Sequence, residues 1–377
     1  MTTSDNPIVI SGAGLWTPEH SVSNEELVEA YNGYAEKFNR EHANEIESGE
    51  ITAKPLSSAE FITKASGIKS RYVFAKEGIL DIDRMRPFIP ARSNDEVSQQ
   101  AEMGLNAARK AMAAANKKAA DIDVVIVACA YTQRSYPAIA IEIQDQLGIA
   151  GFGFDMLVAC SAATFALQRA YEMVKAGTAR CVLVVNPELT SPQNNWRDRD
   201  SHFIFGDVAT ATIMESAATC SAEHSYEILS TKAVTSYSNN IRSNFGYLSY
   251  ADDTDPYGED KFFIQNGRKV FKEVCPMAAE HLTSQLQGLG IENAEVKRWW
   301  LHQANINMNV LIGKRLLGRA ATSDEAPIVL DQYANTASAG SLIAFNLHHT
   351  DLQSGDLGVI CSFGAGYSIG SLVLRKR

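Results

Sequence analysis

Two unbroken apolar runs, Val124-Val-Ile-Val-Ala-Cys129 and Cys181-Val-Leu-Val-Val185, constrain this chain more than any other feature. A strand with one wet face alternates apolar and polar residues, whereas an apolar run without alternation is covered on both faces. Helical patterns lie around them. Residues 95–117 are Ala-rich, and 137–147 have proline in the first turn and Gly148 as a stop. Buried strands alternating with helices imply an α/β protein. The first half opens on a strand over 8–16 and closes on one over 208–214, and the second has a strand over 226–236. It then repeats the rhythm, with helices over 271–289, 303–317 and 340–350 and strands over 298–301, 327–330, 357–363 and 367–374. The chain thus divides into 1–215 and 216–377.

Three segments stand apart. Residues 35–57 are polar and read as an exposed insertion, and 76–94, with Pro87 and Pro90, are irregular. Residues 238–261 carry many acids, but a calcium loop counted from Asp253 would place Ile264 where glutamate is required, so the segment reads as a solvated loop. The net charge of −10 argues against a general nucleic-acid binder. No apolar run is long enough to span a bilayer. Met1-Thr-Thr-Ser-Asp-Asn-Pro7 has neither the basic region nor the apolar core of a signal peptide. The six cysteines are scattered singly, which suits reduced thiols and a cytoplasmic location.

Three polar residues sit where buried strands end. Cys160 lies in Asp155-Met-Leu-Val-Ala-Cys160-Ser-Ala-Ala, between an apolar strand and an Ala-rich helix. Unpaired backbone N–H groups at a helix start favour negative charge and so bias a thiol toward thiolate. His302 follows Trp299-Trp-Leu301, and Asn335 precedes an apolar helix. Singly, these read as a core cysteine, a hydrogen-bonded histidine and a turn cap. In that chain order they allow two enzymes. One is a papain-like hydrolase, although its Cys-Gly-Ser-Cys-Trp signature is absent. The other is a thioester-condensing enzyme. A scaffold subunit is a third reading, but such a subunit would be expected to lose the nucleophile.

The combination of Ala159-Cys160, Phe205-Gly-Asp207, Leu301-His-Gln-Ala-Asn305, Asn335-Thr336 and Phe363-Gly-Ala-Gly366 resembles the 3-ketoacyl-acyl-carrier-protein synthases III of the thiolase superfamily. The resemblance implies a duplicated fold, a five-layer α-β-α-β-α sandwich, in a homodimer. It implies that Cys160 takes an acyl group from an acyl-CoA primer. Malonyl-acyl carrier protein then loses carbon dioxide and condenses with that acyl group, which initiates fatty-acid synthesis. His302 and Asn335 would hold the enolate oxygen, and the backbone N–H groups of Cys160 and Ala365 the tetrahedral oxyanion. No metal or redox cofactor is implied. Further positions carry over as substrate contacts: Arg199, Asn305, Phe61 (on adenine), Phe363, and Tyr136 at the acyl pocket of the partner subunit. Lys314 and Arg315 would meet the acidic carrier protein. The chain departs from the family pattern at Asn307 and Ala65, where basic residues are usual, and at Ala365 for glycine. Ala163 replaces a bulky residue near the nucleophile, which suggests a primer longer than acetyl. A relative from secondary metabolism with another acceptor is the alternative.

Overall fold

The two apolar runs become neighbouring strands of one nine-stranded mixed sheet. The structure is a computed structural model and describes residues 6–377; the N-terminal leader reading therefore falls largely outside the described residues. In chain order the first half holds β1 (Ile8–Trp16), β2 (His20–Ser23), α1 (Asn24–Glu41), α2 (Ala43–Glu47), α3 (Ala59–Ser66), β3 (Ser70–Val73), α4 (Gln99–Ala114), β4 (Val124–Cys129), α5 (Ile139–Leu147), β5 (Phe152–Leu157), α6 (Ala162–Lys175), β6 (Cys181–Glu188) and β7 (Val208–Ser216). The second half holds β8 (Tyr226–Ser238), β9 (Ile241–Arg242), β10 (Ile264–Gln265), α7 (Gly267–Gln287), β11 (Val296–Leu301), α8 (Ile306–Leu317), α9 (Leu330–Tyr333), α10 (Gly340–Leu347), β12 (Leu357–Gly364) and β13 (Gly366–Lys376).

The strand order is β11-β12-β13-β8-β1-β7-β6-β4-β5. β4 runs parallel to β5 and β6, and β11 parallel to β12; the central pairs are antiparallel. β1 and β8 pair only at Val9↔Glu227 and Ile10↔Tyr226, so the sheet is two sheets joined by a short seam.

Side chains of successive strand residues point to opposite faces, and this period builds the layers. Val125, Val127, Leu183, Val185 and Ile213 face α4 and α5. Val124, Ile126, Val182, Val184 and Met214 face the other way, onto Ala162, Ala166 and Ala170 of α6 and Leu342 and Phe345 of α10. The same middle core receives Trp300, Ile360 and Leu372 from the second half. Trp299, Leu301, Val359, Cys361 and Val373 point outward to α7 and α8. The result is helix, sheet, helix, sheet, helix, as the resemblance implied.

Some expectations need correction. The Ser23/Glu26 capping box opens α1, but the helix runs to Glu41 and buries Ala35. Residues 35–57 are thus only partly an exposed insertion. α1 and α3 close a separate core with Tyr31, Ile62, Val73, Trp196 and Phe203. The two-stranded β2–β3 ladder, whose strands are separated by α1, α2 and α3, has little apolar content and left no sequence signal. α4 starts at Gln99 with Ser98 as its cap. α5 starts after Pro137, and the Asp155 carboxylate caps it by accepting from the Ile139 and Ala140 N–H groups, both at 2.8 Å. In the 238–261 segment Asp252 is not free, because it pairs with buried Lys261 at 2.6 Å. The strand over 327–330 does not form. Proline lacks the ladder donor, and the Gln303 carboxamide takes the place of a neighbouring strand. It accepts from Val329 N (3.0 Å) and Leu330 N (3.3 Å) and donates to Pro327 O (3.3 Å). Among the described residues no helix is long and apolar enough to cross a membrane.

Candidate active site

Cys160 occupies a single 3-10 turn, Ala159–Ser161, between β5 and α6. Gly364 at the end of β12 lies against it. A Cβ there would stand 2.5 Å from the Cys160 Cβ, which explains the glycine. His302 follows β11, and its ring meets Phe363 edge-on at 5.0 Å. Because β11 and β12 are parallel, with Leu301 opposite Cys361, His302 stands beside the strand end that meets Cys160. Asn335 precedes the 3-10 turn Ala337–Ala339, which packs on the Cys160 turn. These contacts bring the three residues to one place.

Phe205-Gly-Asp207 is the seat of Asn335. Asn335 N donates to Ile204 O (2.9 Å), and Gly206 N donates to Asn335 O (3.1 Å). A Cβ on Gly206 would fall 2.6 Å from Tyr333 O. Buried Asp207 locks the loop by accepting from Phe74 N and Ser191 N, each at 2.8 Å. The Asn335 Oδ1 accepts from Ala337 N at 3.0 Å, which leaves its Nδ2 as the donor that faces onward. Ser161 Oγ donates to Ser368 O (2.9 Å), and Ser368 Oγ donates to Ala365 O (3.0 Å). This chain of bonds ties the Cys160 turn to the glycine loop that carries the Ala365 N–H.

Burial sets the charge states. His302 is 1% exposed, and desolvation pushes its imidazole down to about 4, so it is neutral at pH 7. Its Nδ1 has no partner among the described residues. The N–H groups of Cys160 and Ala365 both favour a thiolate at Cys160, but desolvation, helped by Glu188, pushes the thiol up to about 12. The helix-start donors expected from the sequence are present, and desolvation of the half-buried cysteine opposes them. With the thiol held up in this way, alkylation of Cys160 in the free enzyme by iodoacetamide should climb about tenfold per pH unit between about pH 7 and 9. A rate that levels off below pH 8 in peptide mass mapping would restore the thiolate expectation.

The other sequence candidates divide. Phe61 and Arg199 are brought together, with the guanidinium 3.8 Å over the ring; Arg199 Nε also donates to Leu56 O at 2.8 Å. Asn305 has structural work: it caps α8 at Asn307 N (2.9 Å) and donates to Ala65 O (2.8 Å). Lys314 and Arg315 are exposed at the far end of α8 from Asn305. Tyr136 is 84% exposed, ahead of α5. Ala163 is fully buried in the middle core. Sequence reading missed Glu188, whose position past the apolar run suggested a loop; β6 continues through it, fully buried.

Residues 154–236 and 286–376 match the family models for 3-oxoacyl-[acyl-carrier-protein] synthase III and its C-terminal region. The chain is 56% identical over 349 residues to a beta-ketodecanoyl-[acyl-carrier-protein] synthase of Pseudomonas aeruginosa, covering 93% of this chain and 100% of the relative. It is 28% identical over 384 residues to a beta-ketoacyl-[acyl-carrier-protein] synthase III of Bordetella petrii, covering 100% of both. The fold matches the 3-oxoacyl-[acyl-carrier-protein] synthase III of Aquifex aeolicus with a TM-score of 0.75 at 23% identity, over 98% of this chain and 99% of that one. The chain belongs to the 3-oxoacyl-[acyl-carrier-protein] synthase III family, and it is an acyltransferase of the condensing kind.

Proposed function

We propose that the enzyme loads a medium-chain acyl group from coenzyme A onto Cys160 and condenses it with malonyl-acyl carrier protein. The observation that carries this reading is the convergence of Cys160, neutral His302 and the free Asn335 amide on one strand-end site. In the first half the Cys160 sulfur attacks the thioester carbonyl, and its proton leaves with coenzyme A. The N–H groups of Cys160 and Ala365 hold the oxyanion. In the second half the malonyl group loses carbon dioxide, and the electron pair moves onto its thioester oxygen. His302 and the Asn335 Nδ2 donate to that oxygen. A neutral imidazole suits this role, since it donates without adding a proton to the product. The carbanion then attacks the acyl group, and the Cys160 thiolate leaves and takes a proton from solvent to restore the thiol. No step calls on a metal or redox group.

The primer length rests on the relative named for a ten-carbon ketoacyl product. Condensation adds two carbons, so an eight-carbon primer is expected here. Intact-mass measurement after exposure to acyl-CoAs of two to twelve carbons should show octanoyl loading at least about tenfold faster than acetyl loading. Acetyl preference would refute it.

Halves 1–215 and 216–377 are read as duplicated units, each placing two helices outside its sheet and one in the middle layer. The active unit is read as a homodimer formed along β5. This edge strand has an unpaired side and exposes Phe152 (45%) and Leu157 (55%), an arrangement that invites a second copy. Exposed Tyr136 would then reach the partner's acyl pocket. The Phe61–Arg199 pair, Asn305 and Phe363 are the proposed substrate contacts, and Lys314 and Arg315 the carrier-protein contacts.

A further inference from the structure

Glu188 is a buried acid without a cation. It ends β6, is 1% exposed, and among the described residues no lysine, arginine or histidine pairs with it. Three donors come to its carboxylate instead: Ala130 N–H at 3.1 Å, Ser338 N–H at 3.0 Å, and the Ser338 hydroxyl. A buried charge left unpaired is unfavourable and calls for a reason. Burial pushes this carboxyl up to about 7 despite those hydrogen bonds.

The reason lies in the turn that Glu188 grips. Ser338 stands three residues after Asn335, inside Ala337–Ala339. On either side of Asn335 the backbone is left-handed, with φ +56° at Ala334 and φ +47° at Ala337. Residues with a Cβ resist that region, and it persists only where the surroundings enforce it. Two acceptors do so here, the Asn335 Oδ1 on Ala337 N and the Glu188 carboxylate on Ser338. Only a carboxylate presents acceptors alone to three donors; a glutamine would set an N–H₂ group against one of them.

We propose that Glu188 is a positioning residue for the malonyl half of the reaction, acting through Ser338 to hold the strained turn that aims the Asn335 amide at the enolate oxygen. The inference rests on the role given to Asn335 above. Acyl loading takes its oxyanion donors from the N–H groups of Cys160 and Ala365 and not from the Asn335 amide. Loss of the Glu188 charge also removes a group that disfavours the Cys160 thiolate. The two half-reactions should therefore respond unequally, with discharge falling while loading holds or quickens, which general damage to the fold would not produce.

The test measures both halves in single turnovers on the full-length protein, using the acyl-CoA that the wild type loads best. For Glu188→Gln, discharge of the preformed acyl-enzyme by malonyl-acyl carrier protein should fall about 10²-fold in kcat, as a misplaced group can cost. KM for the carrier should stay within about twofold, and loading should hold or quicken. Ser338→Ala, which keeps the backbone N–H, should show the same split at about a tenth of the size and serves alone if Glu188→Gln does not fold. Parallel loss of both halves, or undiminished discharge in both variants, would overturn the proposal. A wild-type acyl-enzyme that malonyl-acyl carrier protein fails to discharge would refute the parent reading first, in a measurement that involves no variant.

Discussion

Cys160→Ala forms no acyl-enzyme with any acyl-CoA, and condensation falls by about 10⁴-fold or more. The reaction is divided at this sulfur, because the same atom must accept the acyl group and later leave it. The neighbouring strands offer no exposed thiol as a substitute among the described residues. Cys129 and Cys361 are fully buried, and burial pushes the Cys361 thiol up to about 12 as well. Cys160→Ser keeps the position but offers a poor nucleophile, so loading should be nearly absent there too. The fold should tolerate the alanine, because Gly364 rather than the sulfur sets the close approach at this turn. Intact mass after incubation with octanoyl-CoA, together with product formation, checks both statements. An adduct of equal occupancy on Cys160→Ala would remove this residue from the mechanism.

His302→Ala and Asn335→Ala each slow discharge of the acyl-enzyme by about 10²- to 10³-fold, the usual cost of deleting one preorganised donor. Loading is expected to change far less, since its oxyanion is held by backbone N–H groups. The double variant should lose less than the product of the two, because both donors serve one oxygen. Asn335→Ala also frees Ala337 N, now held at 3.0 Å by the Asn335 Oδ1, and so loosens a left-handed turn. His302→Ala breaks no bond at Nδ1. Carbon dioxide release from malonyl-acyl carrier protein, followed beside the loading rate, separates the effects. If His302→Ala slowed loading as much as discharge, the imidazole would have to be the base that activates Cys160.

Much of this was legible in the chain itself. A strand covered on both faces appears as an unbroken apolar run, which is why β4, β6 and β12 could be read directly. Of the three candidate residues only His302 follows such a buried strand; Cys160 follows the half-exposed edge strand β5, and Asn335 follows the short helix α9. What remained hidden depends on partners distant in sequence. Phe205-Gly-Asp207 could be recognised as a motif, yet its use as the seat of Asn335 becomes visible only when two segments 130 residues apart are joined. Gln303 stands in for a missing strand, and Glu188 grips Ser338 150 residues away. Asn305 shows the same dependence, since its bond to Ala65 O joins segments 240 residues apart. The state of Cys160 shows the division most clearly. Local sequence determined that a thiol would sit at a helix start, among N–H groups that favour its anion. Tertiary packing pushes the thiol the other way, toward its neutral form, because desolvation is set by everything that closes around a group and not by its neighbours along the chain.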